Sequence, residues 1–515
     1  MRPSPDLHQL IQSLTKSEKR HFKLHAARHV IGKENNYVRL FDAISKQADY
    51  NEESIKTAFK GEKFIGRLSS EKVYLYHMVM ESLHLYHLEY SADSQLKMLL
   101  HQVELLYAKG LYQHAGKLLR KARKLALNCE ALLQLLEVIR WEKTLLDAYS
   151  LSRKTMDELE NLWDEEQKIL EQLGNYNQYA QMLTRVWHFA SRFGDIRTAE
   201  DLKSIEQIMT HDLLKNVDKA LSLRAKLYFF LIHYFNSSLQ QNARAVHDFL
   251  SSAVALLDQE AEFRKEHLDV YANQLGLLLG SFVGWKRVDG EFELTLEKLR
   301  TIPERFRLKQ GMVKTIERQI INSYDTEMLV YLQGDEVSRG LSLIPELEQI
   351  LEKQEGRLLP HHKTIFAYRI AMTYFYAGKY RLASRWNNRA LNEHPRQFRQ
   401  DVYGLVLNLN LLLQYQTGKH DVLMYSLQSY ERYVKQQEKP HRFEKCLHDL
   451  LTRLVKFGHE REKREALFQQ FEEKLQELSN DPFEKAALVD FNYSAWVTAQ
   501  LEDTNIQKVF EQHNS

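Results

Sequence analysis

Apolar residues recur along this chain mainly at three- and four-residue steps, the spacing of helices that bury one face. One such amphipathic helix follows Ser69 and Ser70, with its face formed by Val73, Tyr74, His77, Met78, Met80, Glu81, Leu83, Tyr86 and Leu88. Turn-forming residues are scarce, since 515 residues contain only 19 Gly and 8 Pro, whereas an all-β fold needs many turns. The pattern predicts an all-α protein.

Three stretches share one local form, an aromatic-rich helix, a Gly break and a second helix with spaced Ala: residues 107–126, 191–202 and 376–395. Gly ends a helix at little cost because it readily adopts the left-handed conformation. Ala allows two helices to approach closely, and a following Pro395 cannot extend the second helix. The repetition predicts stacked helical hairpins.

The last stretch resembles the tetratricopeptide repeat. The matching positions are Ala371, Tyr374, Gly378, Tyr380, Ala383, Ala390 and Pro395. The other two stretches match through Gly110, Tyr112, Ala115, Leu119 and Ala122, and through Gly194, Ile196 and Ala199. The resemblance implies a right-handed solenoid of about nine helical hairpins that binds proteins or peptides as a scaffold or adaptor.

The turns between the two helices of each hairpin are expected at Gly110, near Leu151, at Gly194, near Ser238, and at Gly284, Gly334, Gly378, Gly418 and Gly458. Residues 1–92 lack the repeat and are predicted to form a helical head, in which Thr15–Glu18 is a capping box. Residues 93–480 are predicted to form the repeats. Residues 481–515 then supply a capping helix, roughly 482–501, and a tail.

In tetratricopeptide arrays the first helix of each pair lines the concave surface, and this implies a partner-binding groove. Its residues are Tyr324, Met328, Tyr331, Tyr368, Met372, Phe375, Tyr376, Asn408 and Tyr415, with Ile321, Ile365 and Leu412 beside them. The family's carboxylate-clamping Lys and Asn residues are absent, so the expected ligand is an apolar or amphipathic segment. The alternative is that the same side chains form core between hairpins.

A basic cluster lies in the second helix of the first hairpin and consists of Lys117, Arg120, Lys121, Arg123 and Lys124. All but Arg123 share one helix face. Residues 1–130 contain 21 Lys and Arg against 14 Asp and Glu, whereas the whole chain has a net charge of +2. The cluster could meet an acidic protein or nucleic acid, or it could be a solvated outer face.

Two further functions follow from these features. The chain could be a regulator whose basic head contacts nucleic acid under control of a ligand in the groove, which is similar to peptide-sensing bacterial regulators with a helical head before tetratricopeptide pairs. An enzyme is the third hypothesis, supported only by a row of three histidines, His21, His25 and His29, at helical spacing. We interpret the row as helix-surface residues beside buried Phe22 and Ala26. We therefore predict no enzyme activity, cofactor or metal.

Location is predicted from what the sequence lacks. The N-terminus has no apolar signal region, and no window approaches 18 consecutive apolar residues. The two cysteines, Cys129 and Cys446, suggest free thiols in a reducing compartment. These features predict a cytoplasmic protein without a membrane span.

Overall fold

The structure is a computed structural model that describes residues 5–27, 35–88, 91–148, 153–193, 199–285, 288–353, 360–393, 400–436, 442–481, 484 and 488–513. Every regular element among these residues is helical, which confirms the all-α prediction. The chain divides into two compact units. Unit 1 contains residues 1–166 and 308–312, and unit 2 contains residues 167–307 and 313–515.

Eight helices lie wholly in unit 1: α1 (Asp6–Ser13), α2 (Lys16–Ala27), α3 (Asn36–Ser45), α4 (Glu52–Ala58), α5 (Leu68–Tyr86), α6 (Ala92–Ala108), α7 (Tyr112–Asn128) and α8 (Leu132–Ala148). The first five enclose one apolar cluster, in which the rings of Phe22 and Phe41 stack with centroids 4.4 Å apart. The predicted capping box forms, because Glu18 Oε2 accepts from the Thr15 N–H and Thr15 Oγ1 accepts from the Glu18 N–H.

Helix α9 (Arg153–Phe193) belongs to both units and is a single helix of 41 residues where a hairpin was expected. Unit 2 continues with α10 (Ala199–Met209), α11 (Leu223–Leu239), α12 (Ala243–Gln259), α13 (Ala261–Glu266), α14 (Leu268–Trp285), α15 (Gly290–Arg300), α16 (Ile302–Arg305), α17 (Gln310–Gln333) and α18 (Val337–Lys353). The first three residues of α17 belong to unit 1. It ends with α19 (Pro360–Tyr376), α20 (Tyr380–Glu393), α21 (Gln400–Gln416), α22 (His420–Gln436), α23 (Arg442–Phe457), α24 (Arg461–Ser479), α25 (Tyr493–Leu501) and α26 (Ile506–His513).

Successive helices pack on one another, most extensively in the pairs α6–α7, α11–α12 and α19–α20. Gly110, Gly378 and Gly418 stand at predicted breaks with φ of +72°, +71° and +67°. After each one, the next N–H donates to the carbonyl five residues earlier, which closes the preceding helix. These three breaks are confirmed.

The expected breaks near Ser238 and at Gly334 and Gly458 also separate helices: α11 from α12, α17 from α18 and α23 from α24. At the first two breaks the left-handed residue is Gln241 or Asp335 rather than a glycine, and Glu130 adopts the same conformation before α8. Gly284 is the penultimate residue of α14, which ends at Trp285. The expected breaks near Leu151 and at Gly194 lie outside the described residues.

Two further predictions, the buried face of α5 and the start of the closing helix, are also corrected. In α5 the buried side chains are Leu68, Leu75, Met78, Val79 and Ser82, whereas Val73, Tyr74 and Met80 of the predicted face are exposed. The closing helix begins at Tyr493, later than expected, and a second helix follows it. We call residues 488–513 the closing segment.

Candidate functional site

Most of the predicted groove residues are buried. They lie as expected on α17, α19 and α21, but seven of them are at most 6% exposed: Met328, Tyr331, Tyr368, Met372, Phe375, Tyr376 and Asn408. Tyr324 and Tyr415 are half-buried. The prediction of an open aromatic face at these positions is therefore corrected, because other parts of the same chain cover it.

The positions on α17 are covered by neighbouring helices. The Tyr331 hydroxyl donates to Glu327 Oε1 at 2.7 Å, and its ring meets Phe292 of α15. The Tyr324 hydroxyl donates to Glu346 of α18 at 2.7 Å, and the Arg300 guanidinium lies 3.7 Å from its ring centroid. These two tyrosines belong to helix–helix packing.

On α19 and α21, the positions Phe375, Tyr376 and Tyr415 contact the closing segment. Phe491 is 2% exposed, and its ring centroid lies 5.5 Å from that of Phe375 and 5.3 Å from that of Tyr376. Farther along, the Trp496 ring contacts Tyr415 of α21 and Phe468 of α24, with centroids 6.2 and 5.5 Å apart. The segment thus places two large aromatic side chains between the helices.

A buried arginine joins the closing segment to α19. Arg369 is 6% exposed, and its Nε donates to Asp325 Oδ1 of α17 at 2.7 Å. Its Nη1 forms an ion pair with Asp490 Oδ1 at 2.6 Å. Although burial acts against the charge, the two carboxylates hold the pKa of Arg369 above its usual value. The guanidinium therefore remains charged and attracts an acidic residue to this place.

Two contacts reach the main chain of the closing segment. The N–H of Asn492 donates to the Tyr376 hydroxyl at 2.7 Å, and the carbonyl of Val489 accepts from Gln333 Nε2 at 2.5 Å. Burial raises the pKa of Tyr376, so that its hydroxyl stays neutral. Because these contacts use backbone atoms, they do not depend on which side chain the segment carries at residue 489 or 492.

A cavity of about 590 Å³ runs beside the closing segment. One wall contains residues 488, 489 and 491–494. The other walls come from α12, α14 and α24, from the ends of α11 and α17, and from the turn before α12. The lining carries no charged side chain and includes the amides of Gln241, Gln333, Gln476 and Asn492. This size and mixed apolar and amide character suit an uncharged ligand or a short polypeptide stretch.

The basic cluster on α7 is divided in the structure. Arg123 is half-buried and pairs with both Glu142 and Glu165. Lys117, Arg120, Lys121 and Lys124 are exposed, and none of these four has a carboxylate partner among the described residues. They form a solvent-facing cationic stripe within the eight residues 117–124, which span about 10 Å of helix.

A second cavity, of about 760 Å³, lies beside this stripe between α7, α8 and the start of α9. Lys117, Arg120 and Arg123 line it together with Glu142, Glu158 and Glu165. Burial raises the pKa of Glu142 although Arg123 opposes the shift. Positive and negative groups are balanced here, so the cavity itself shows no preference for an anion.

Two of the three candidate metal-binding histidines contact α5, and His29 lies outside the described residues. His21 Nδ1 is 3.0 Å from Ser82 Oγ, and His25 is 6% exposed with Nε2 3.9 Å from Glu81 Oε2. Phe22 and Ala26 are buried as expected. No cluster of three metal-ligating side chains occurs in the part of the chain that the structure describes.

Sequence reasoning missed Arg369 and Asp490, although one signal was available. Arg369 is the single charged residue in the run from Thr364 to Tyr376, and such a charge on a buried helix requires a partner. No periodic pattern of apolar and polar residues around Asp490 indicates that it pairs with a buried arginine.

Two observations bear on the class of protein. Among the described residues, no helix combines the length and the apolar character that a bilayer crossing requires. Comparisons of this chain with protein-family models, with curated proteins and with solved structures gave no match.

Proposed function

We propose that this protein is a non-catalytic scaffold or adaptor built from tetratricopeptide-like hairpins, and that it binds polypeptide segments on the face formed by α17, α19 and α21. The observation that supports this function is the way this face holds residues 489–492. It combines contacts to main-chain atoms, an aromatic site for Phe491 and a buried cation for Asp490. These are general means of recognising an extended peptide.

Site-specific cross-linking tests this function. A photoreactive amino acid replaces Gln476, which is exposed in α24 on the cavity wall, or Val422, which is 49% exposed on α22, as the matched control. Both full-length proteins are irradiated in lysate of the native host. We expect a polypeptide adduct from position 476 and not from position 422. Adducts of equal yield at both positions, or at neither, would contradict the proposal.

We place this binding role in the cytoplasm. Neither Cys129, which is buried, nor Cys446, which is half-buried, forms a disulfide. Cysteines outside disulfides are typical of a reducing compartment. Fractionation of host cells, followed by immunodetection of the full chain, checks this location.

A second candidate is nucleic-acid binding through unit 1, as in a regulator whose ligand binds elsewhere on the chain. The observation that favours it is the stripe of Lys117, Arg120, Lys121 and Lys124, whose charges are exposed and unpaired by carboxylates among the described residues. Contacts to phosphates release counterions, so binding of the full chain to duplex DNA should weaken steeply as salt increases. Binding that is absent at low salt, or that does not change with salt, contradicts this candidate.

A further inference from the structure

The closing segment satisfies the face of α19 with a particular chemistry. An acidic residue, Asp490, meets Arg369, and the aromatic residue directly after it, Phe491, lies against Phe375 and Tyr376. The adjacent N–H of Asn492 donates to the Tyr376 hydroxyl. A segment from another protein that presents an acidic residue followed by an aromatic residue can make the same three contacts.

The buried guanidinium of Arg369 stays paired when the closing segment leaves. Arg369 retains its contact with Asp325 of α17, so the buried cation keeps one carboxylate. Removal of Asp490 therefore does not strand an unpaired buried charge, which is the costly outcome for ion pairs in a protein interior. An unpaired buried charge therefore does not oppose release of the segment.

The docked segment also leaves interactions unmade. The indole N–H of Trp496 is buried with no hydrogen-bond acceptor among the described residues. The cavity of about 590 Å³ remains open along residues 488–494. An unpaired buried donor and unfilled space both weaken packing relative to a fully complementary segment.

Resting on the proposed function, we propose that the closing segment is an internal occupant of the peptide site. The external partner is a polypeptide with an acidic residue directly followed by an aromatic residue, and it displaces residues 488–497. Binding of the partner and release of the closing segment are then one exchange. The apparent affinity for the partner depends on how often the site is vacant.

The test uses a fluorescein-labelled peptide with the sequence of residues 488–497, and fluorescence anisotropy with the full chain. Asp490→Asn with Phe491→Ala weakens the internal occupant. Asp503→Asn with Phe457→Ala is the matched control at exposed positions. We expect the weakened variant to bind the peptide at least about tenfold more tightly than the unaltered chain or the control. A peptide that itself carries both weakening changes should bind poorly to all three.

Equal affinity for all three proteins, or no binding to any, overturns the inference. Circular dichroism shows whether the weakened variant folds. If it does not fold, hydrogen exchange of the unaltered chain tests the inference instead. Saturating unlabelled peptide should then accelerate exchange in α25, and unchanged exchange there overturns the inference. A host polypeptide cross-linked at residue 476 in equal yield from unaltered and weakened chains leaves the proposed function standing while this inference fails.

Discussion

Ala383 shows how one small residue determines helix packing. It is fully buried in α20, which packs on α19. We expect Ala383→Trp to lower the free energy of unfolding by about 1 to 3 kcal/mol, because the indole overfills this contact. Leu382→Trp, at a neighbouring position that is 41% exposed, should change it by less than about 0.5 kcal/mol. Urea denaturation of both variants checks the difference, and equal effects would show that the helix register is wrong.

A substitution at Tyr376 tests the contribution of a single hydrogen bond to the closing segment. Tyr376→Phe keeps the buried ring but removes the acceptor of the Asn492 N–H. We expect a loss of about 1 to 2 kcal/mol, since that donor is left unpaired. Tyr425→Phe is the control, because Tyr425 is 74% exposed and should contribute almost nothing. Thermal melts that are the same for both variants would contradict this role of the hydroxyl.

Glu18 links α2 to α5 in a pH-dependent way. Its Oε1 lies 2.7 Å from His87 Nε2, and its Oε2 accepts from the Thr15 N–H. Burial acts to raise the pKa of Glu18, but the hydrogen bonds from Thr15 and His87 outweigh burial and hold the pKa below its usual value. A folded-state pKa below the unfolded value means that the stabilisation is complete above about pH 4.3 and is lost as pH falls through the folded-state pKa.

Glu18→Gln should therefore cost about 1 to 2 kcal/mol at pH 7. The difference from the unaltered chain should narrow as pH falls below about 4.3. Urea denaturation at pH 7 and at about pH 3 measures both values. Glu53→Gln serves as control because the Glu53 side chain is 80% exposed. A difference that stays constant with pH would exclude a charged Glu18 as the cause.

At the scale of the element, α7 uses one face for folding and the opposite, exposed face for the proposed binding. Its Ala115, Leu119, Ala122 and Ala126 are buried, while its unpaired cations face solvent. Changing Lys117, Arg120 and Lys124 together to Glu should preserve helix content in circular dichroism. The variant should elute from heparin at lower salt, because three cationic contacts become repulsive.

The control for α7 is a triple change to Glu on α24 at Arg461, Lys463 and Lys474. Each of these cations has a carboxylate within 4.0 Å, namely Glu465, Glu460 and Asp449 respectively. The net charge changes equally in both variants, so equal elution would mean that heparin responds only to total charge and that the stripe has no special role.

The elements themselves were largely predictable, and the reason is local. The Gly378 break and the burial of Ala383 and Ala390 follow from short-range spacing. The turns near Ser238 and at Gly334 were predicted as well, but their left-handed residues, Gln241 and Asp335, were not, because the prediction took glycine as the marker of that conformation.

At the scale of the whole molecule, the main error concerned what covers α19. Helical periodicity marks Tyr368, Met372 and Tyr376 as apolar positions but does not tell whether a partner or the same chain covers them. Their cover, the closing segment, comes more than a hundred residues later, as the 116-residue separation of Tyr376 and Asn492 shows. Such long-range pairing has no local signature.

Hydrogen exchange across the full chain tests whether the closing segment stabilises only unit 2, to which it belongs. Asp490→Asn with Phe491→Ala should accelerate exchange in α19 and α25, which the segment's contacts join. Exchange in α6 and α7 of unit 1 should remain as in the unaltered chain. Acceleration spread evenly over both units would mean that the segment supports the whole fold rather than this one face.

The distance in sequence between α19 and its cover has a consequence for biosynthesis. At roughly 5–20 residues per second, a ribosome needs on the order of ten seconds to proceed from Tyr376 to Asn492. During that interval Phe375 and Tyr376 can be part of a nascent chain that lacks its own cover, and exposed apolar surface of this kind attracts chaperones. A premature stop codon shortly before Asp490 should consequently yield a product that quality control recognises, even though α1–α24 are encoded in full.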